Sequence, residues 1–178
     1  TETVEQIVEH LRGEHAFADI LLGLLSDLQT AQGIPEEQLA DVIETCAALL
    51  RDRGLQPHIA GLIQHIIGAG AIPEEHEATV INIVMQLVTS NDAHIVRQTT
   101  ESIIVLAGEL SEESNSVFWE QLVTVLRREA QRPETTTGLL TLVDTLVVLN
   151  ETGRLSAAFN QDIIQILHPL FDLDNGPL

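Results

Sequence analysis

The segment Ile34-Pro35-Glu36-Glu37 recurs as Ile72-Pro73-Glu74-Glu75, 38 positions later, and another 38 positions lands on Leu110-Ser111-Glu112-Glu113. The register continues inward from each copy. Ala40, Val42, Ile43 and Leu49 meet Ala78, Val80, Ile81 and Leu87, and Ala69-Gly70 meets Ala107-Gly108. Proline suits a first helical turn because it has no N–H to satisfy there, and serine is a capping residue. Each copy therefore reads as a helix start. Each unit then reads as a helix, a turn, a second helix and a glycine.

Working outward, helical periodicity dominates the whole chain. A first helix carries Val4, Ile7, Val8 and Leu11 and ends at Gly13, with Thr3 as its cap. A second carries Phe17, Ile20, Leu21, Leu24, Leu25 and Leu28 and stops at Gly33. The first helices of the repeat fall at 35–53, 73–89 and 111–131, and the second helices at 57–68, 92–107 and 134–149. Val80, Ile81, Ile83, Val84, Leu87 and Val88 cover most of the surface of the helix from Pro73, so that helix should be buried on two sides. Pro133 breaks the 111–131 helix. A ninth helix follows Gly153 with Phe159, Ile163, Ile164, Ile166 and Leu167, and Pro169 with Gly176-Pro177 marks a frayed tail. The segments are too long and too helically spaced for strands. The expected fold is all-α: an α-α superhelix of about nine helices with a roughly 38-residue helix-pair repeat. It forms one domain over 1–172, with 173–178 as tail. The first pair and the last helix would cap the stack.

This pattern resembles the helix-pair repeats of the HEAT and armadillo class over about residues 34–150. The resemblance implies a solenoid whose concave face holds another protein. Ile43-Glu44-Thr45-Cys46-Ala47-Ala48-Leu49-Leu50-Arg51-Asp52-Arg53-Gly54 resembles a helix of middle-domain (MIF4G-type) HEAT repeats, although those domains are usually more basic. Glu112-Glu113-Ser114-Asn115 with Trp119 and Gly138-Leu139-Leu140 resembles the helical subdomain of adhesion-receptor GAIN regions. That would place the chain outside the cell. The autoproteolysis motif and β-rich part of such regions are missing from this sequence.

Charge narrows the partners. The net charge is -19, from 27 acids against 8 bases, and every base is arginine. Nucleic acid and anionic membranes both call for a basic face, so neither is an expected direct partner. A protein is, and a basic one is allowed. The plainer reading of the charge is solubility or a saline cytoplasm. The longest apolar run, Ile20-Leu21-Leu22-Gly23-Leu24-Leu25, is too short to span a membrane. Glu2, Glu5 and Glu9 stand where a signal peptide would carry positive charge. The single Cys46 cannot form an intrachain disulfide, which points to a cytoplasmic protein resting on its core.

Catalytic and metal chemistry find little purchase. Glu36/Glu37, Glu74/Glu75 and Glu112/Glu113 sit in first helical turns, where carboxylates complement the macrodipole. His10/His15 and His58/His65 lack the spacing of four that two-histidine zinc helices use, and His76 among Glu74, Glu75 and Glu77 is better read as solvated. Cys46 lies on an apolar stripe, the usual place of an inert thiol. There is no Gly-x-Ser-x-Gly turn and no phosphate loop with its lysine. The expectation is a binding or scaffold module with no catalytic activity, cofactor or metal. The alternatives are a structural subunit of a larger assembly and a helical-bundle enzyme using carboxylates and histidines. Acids gather on the first helices (Glu36, Glu37, Asp41, Glu44, Glu74, Glu75, Glu77, Glu112, Glu113, Glu120). The less charged second-helix face, with Gln64, Arg97 and Thr100, is therefore the candidate partner surface. Trp119, beside Phe118, is either core packing or an exposed anchor.

Overall fold

The computed structural model describes residues 2–13, 16–70, 72–132 and 137–171. Among them nine α-helices form and no strand: α1 (Glu2–Gly13), α2 (Ala18–Gln32), α3 (Glu36–Leu49), α4 (Gln56–Gly68), α5 (Glu77–Leu87), α6 (Ala93–Glu109), α7 (Glu112–Ala130), α8 (Thr137–Glu151) and α9 (Asn160–Phe171). Short 3₁₀ turns at Glu74–His76 and Ala157–Phe159 precede α5 and α9.

Local chemistry sets several boundaries. Asp92 accepts from the His94 and Ile95 amides and starts α6. Ser111 accepts from the Ser114 amide and starts α7. Both satisfy N–H groups that a first turn leaves free. Gly33 ends α2 at φ 75°, a left-handed conformation costly for any residue with a β-carbon.

Some boundaries differ from the sequence reading. Thr3 lies inside α1, which begins at Glu2. Pro35 is the N-cap residue of α3 and not its first helical residue. After Pro73 the chain makes a 3₁₀ turn, so Glu74 and Glu75 precede α5 and do not form its first turn. Pro169 is inside α9, which continues to Phe171. His15, Pro133 and the tail 173–178 lie outside the described residues.

The helices pack in two layers. α2, α4, α6 and α8 pack successively on one another, and so do α1, α3, α5, α7 and α9. Helices adjacent in sequence, such as α1 with α2 and α7 with α8, join the layers. The expected first helices α3, α5 and α7 thus share a layer. The core lies between the layers, with Val42, Ile43, Ile59, Leu62, Ile66, Val80, Ile81, Val84, Ile103 and Leu106 sealed from solvent. As expected, α5 is buried on most of its surface, from Val80 and Ile81 through Val84, Met85 and Leu87.

The even helices approach one another along more of their length than the odd ones. Glycines stand at two of the contacts these helices make. A β-carbon at Gly61 of α4 would already stand 3.5 Å from Gln98 Nε2 of α6. One at Gly108 of α6 would stand 3.2 Å from Arg154 Cζ, whose guanidinium donates to Ile104 O at 2.8 Å. A cation at a helix C-terminus also complements the dipole there.

Candidate functional site

The candidate surface is built on α4 and α6. Gln64 of α4 is half-buried and donates through Nε2 to Glu101 Oε2 of α6 at 2.8 Å. Arg97 lies one turn before Glu101 and is exposed. Thr100 is buried, and its hydroxyl donates to Arg97 O at 2.6 Å. The side chain of Thr100 thus ties down its own helix and is not offered to a partner. The structure brings Gln64, Arg97 and Glu101 onto one surface and withdraws Thr100 from it. On the neighbouring seam, His65 Nδ1 lies 2.8 Å from Ser26 Oγ and 3.2 Å from Thr30 Oγ1, joining α4 to α2.

Trp119 lies elsewhere. It is 1% exposed, so it is a core residue and presents no anchor to a partner. Its ring meets Phe118 edge to face at 5.2 Å and stacks on Phe159 at 6.3 Å. Adjacent helical residues usually cannot both face a core. Here both do, because α7 is covered by α5, α8 and α9 together.

The sequence reading passed over the polar rungs between successive helices of a layer. Buried Glu77 of α5 accepts from the Ser111 amide at 3.1 Å and from the Ser111 hydroxyl, so it holds the residue that starts α7. Buried Gln38 donates to Glu5 at 3.1 Å. These partners are 34 and 33 residues apart, and the rungs from Gln64 and His65 span 37 and 39. The Gln64 and His65 rungs lie within one residue of the 38-residue offset, and the other two fall four and five residues short of it.

Other candidates dissolve into structure. Cys46 is buried, and burial pushes its thiol up to about 12. Among the described residues, no three His, Cys, Asp or Glu side chains group as metal ligands. Glu36, Glu37 and Glu75 line an open acidic depression beside Pro73. A polar cleft of about 400 Å³ opens between the α3–α4 and α5–α6 turns, lined by Arg53, Gln56, Asn91 and Asp92 among others. No helix among the described residues is long and apolar enough to cross a membrane.

Several large apolar residues stand outside the core: Phe17 at the N-cap of α2, Ile20 and Leu24 on α2, Leu140 and Val147 on α8, and Ile164 on α9 are exposed. Phe17 also has φ 65°, strained for a bulky residue. Of the expected capping helices, α2 and α9 therefore do not present wholly polar outer faces, whereas α1 buries all its apolar residues. No family model, curated protein or solved structure matches the chain, whose all-α fold is in keeping with helical-repeat proteins in general without a confirmed repeat type.

Proposed function

We propose that the chain is a stack of helix pairs, an α-α superhelix of HEAT/ARM-like kind. Its role is to hold another protein on its even layer, with no catalytic activity of its own. The observation that carries this is the ladder of hydrogen bonds one repeat apart, from Ser26–His65 through Gln64–Glu101. It joins α2, α4 and α6 into one continuous surface. In a two-layer stack the more closely spaced layer lies on the inside of the curve, and here that is the even layer. α4 carries no Asp, Glu or Arg at all, while α3 and α7 carry the acidic pairs. The even face is thus the less charged side of a molecule with net charge -19. Interface centres are depleted in charged groups, as this face is. The acidic odd layer solubilises and steers.

The test is affinity capture with three baits: wild type, Gln64→Ala/Arg97→Glu, and Glu36→Gln/Glu37→Gln/Glu74→Gln/Glu75→Gln. The even-layer variant should lose at least about tenfold in affinity for a protein that wild type retains. The acid-neutralised bait should keep it at moderate salt. Loss with the acid-neutralised bait alone would make the acidic edge the interface and overturn the choice of face. A second reading, a subunit of a larger assembly, is favoured by the exposed apolar residues of α2.

A further inference from the structure

We infer that the outer flank of α2 is the contact between two copies of this chain, paired antiparallel about a two-fold axis. Of the eight large apolar side chains exposed among the described residues, seven lie on α2 or its N-cap, α8 and α9, the terminal elements of the two layers. On α2 they mark one edge of a seam. Phe17 and Leu24 are exposed, Leu21 and Leu28 are partly buried against the core, and the four are spaced four, three and four residues apart, the a/d spacing of helices that interlock knobs into holes. Ile20 flanks them at 63% exposure.

The repeat register shows that this flank is built to be covered. Leu21, Leu24 and Leu28 stand 38 positions before Ile59, Leu62 and Ile66 of α4. His65, on the same side as Leu62, meets Ser26 and Thr30 of α2, while Gln64 reaches α6. The Leu62 flank of α4 therefore faces α2, and all three α4 residues are 0% exposed. The same flank on α2 points away from α4. At 100° per residue, Leu24 and Leu28 lie about 160° around the helix from Ser26 and Thr30. Leu24 is 42% exposed, while Leu28, nearer the core, lies beside Thr3 and Val4 of α1.

A helix belongs at this place, and a second α2 fits it. The seam is self-complementary when reversed, Phe17 meeting Leu28 and Leu21 meeting Leu24 of the copy. A two-fold contact of that kind closes on itself. Charge agrees. Asp19 and Asp27 are the only charged residues of α2, so two chains of net charge -19 meet here across a sparsely charged helix.

The experiment is sedimentation equilibrium of the full chain over a range of concentrations at moderate salt, with circular dichroism to verify folding. Wild type should sediment at twice 19.5 kDa. Leu24→Glu should be a folded monomer, and Leu140→Glu should remain a dimer. A wild type that is monomeric at every concentration overturns the proposal, as does a Leu24→Glu dimer that is still helical. Growth beyond a dimer that Leu140→Glu abolishes also overturns it, by showing α8 of one copy seated on α2 of the next. None of these outcomes depends on which face holds another protein.

Discussion

At the scale of single residues, equal-looking leucines do unequal work. Leu87 is 1% exposed and Leu24 is 42%. Leu87→Ala should cost about 2–5 kcal/mol, as buried leucine truncations do, whereas Leu24→Ala should change the stability of the monomer by less than about 1 kcal/mol. Denaturant midpoints measured at low protein concentration check both. Cys46 offers a second test. With its thiol pushed up to about 12 by burial, the reactive thiolate is scarce near neutral pH, and the sulfur is sealed as well. Alkylation by iodoacetamide should therefore wait for unfolding. Fast labelling of the native protein would show that α3 is not packed as described. Trp119 had two readings in the sequence, and neither its neighbour Phe118 nor its own chemistry could choose between them. The choice came from Phe159, 40 positions away, which only the fold brings onto the indole.

At the scale of elements, the sequence was most legible where caps and periodicity agreed. Ser111 and Asp92 mark the starts of α7 and α6 in both readings. Legibility failed where proline was taken as decisive. Pro73 opens a 3₁₀ turn before α5, and Pro169 is carried within α9 near its end, where few intrahelical bonds remain to lose. It failed again on α2, whose apolar residues run around much of the helix. Periodicity locates an apolar flank, but it cannot say whether a neighbour covers that flank. Of the candidate site, Gln64 and Arg97 were legible as the uncharged and sparsely charged side of the second helices; Thr100 was not, because its hydroxyl turns inward to Arg97 O. The element most open to test is the Glu77 rung. Its carboxylate holds the residue that starts α7. Glu77→Ala removes an acceptor of two hydrogen bonds at a buried position and should cost about 1–3 kcal/mol. Hydrogen exchange should show the first turn of α7 losing protection first. Unchanged stability with unchanged exchange would remove the rung from the account.

At the scale of the molecule, charge and architecture make separate claims. With 27 acids and 8 bases, folding gathers like charges that the unfolded chain holds apart. Salt screens such repulsion over about 8 Å at physiological ionic strength. The thermal midpoint should therefore rise from low to high sodium chloride; a fall would mean that attractive pairs such as Arg12–Asp41 dominate. The architecture is the central claim: the even helices stack in an open series, so α2 and α8 stand at its two ends. Asp27 on α2 and Asp144 on α8 are both exposed and accept spin labels as Asp27→Cys and Asp144→Cys, while buried Cys46 stays unlabelled. Three interaxial spacings of 8–10 Å place the two helices about 25–30 Å apart. A pulsed dipolar measurement at low protein concentration should give a single distance near that span. A distance near about 10–15 Å, that of helices packed directly together in a closed bundle, would contradict the stack.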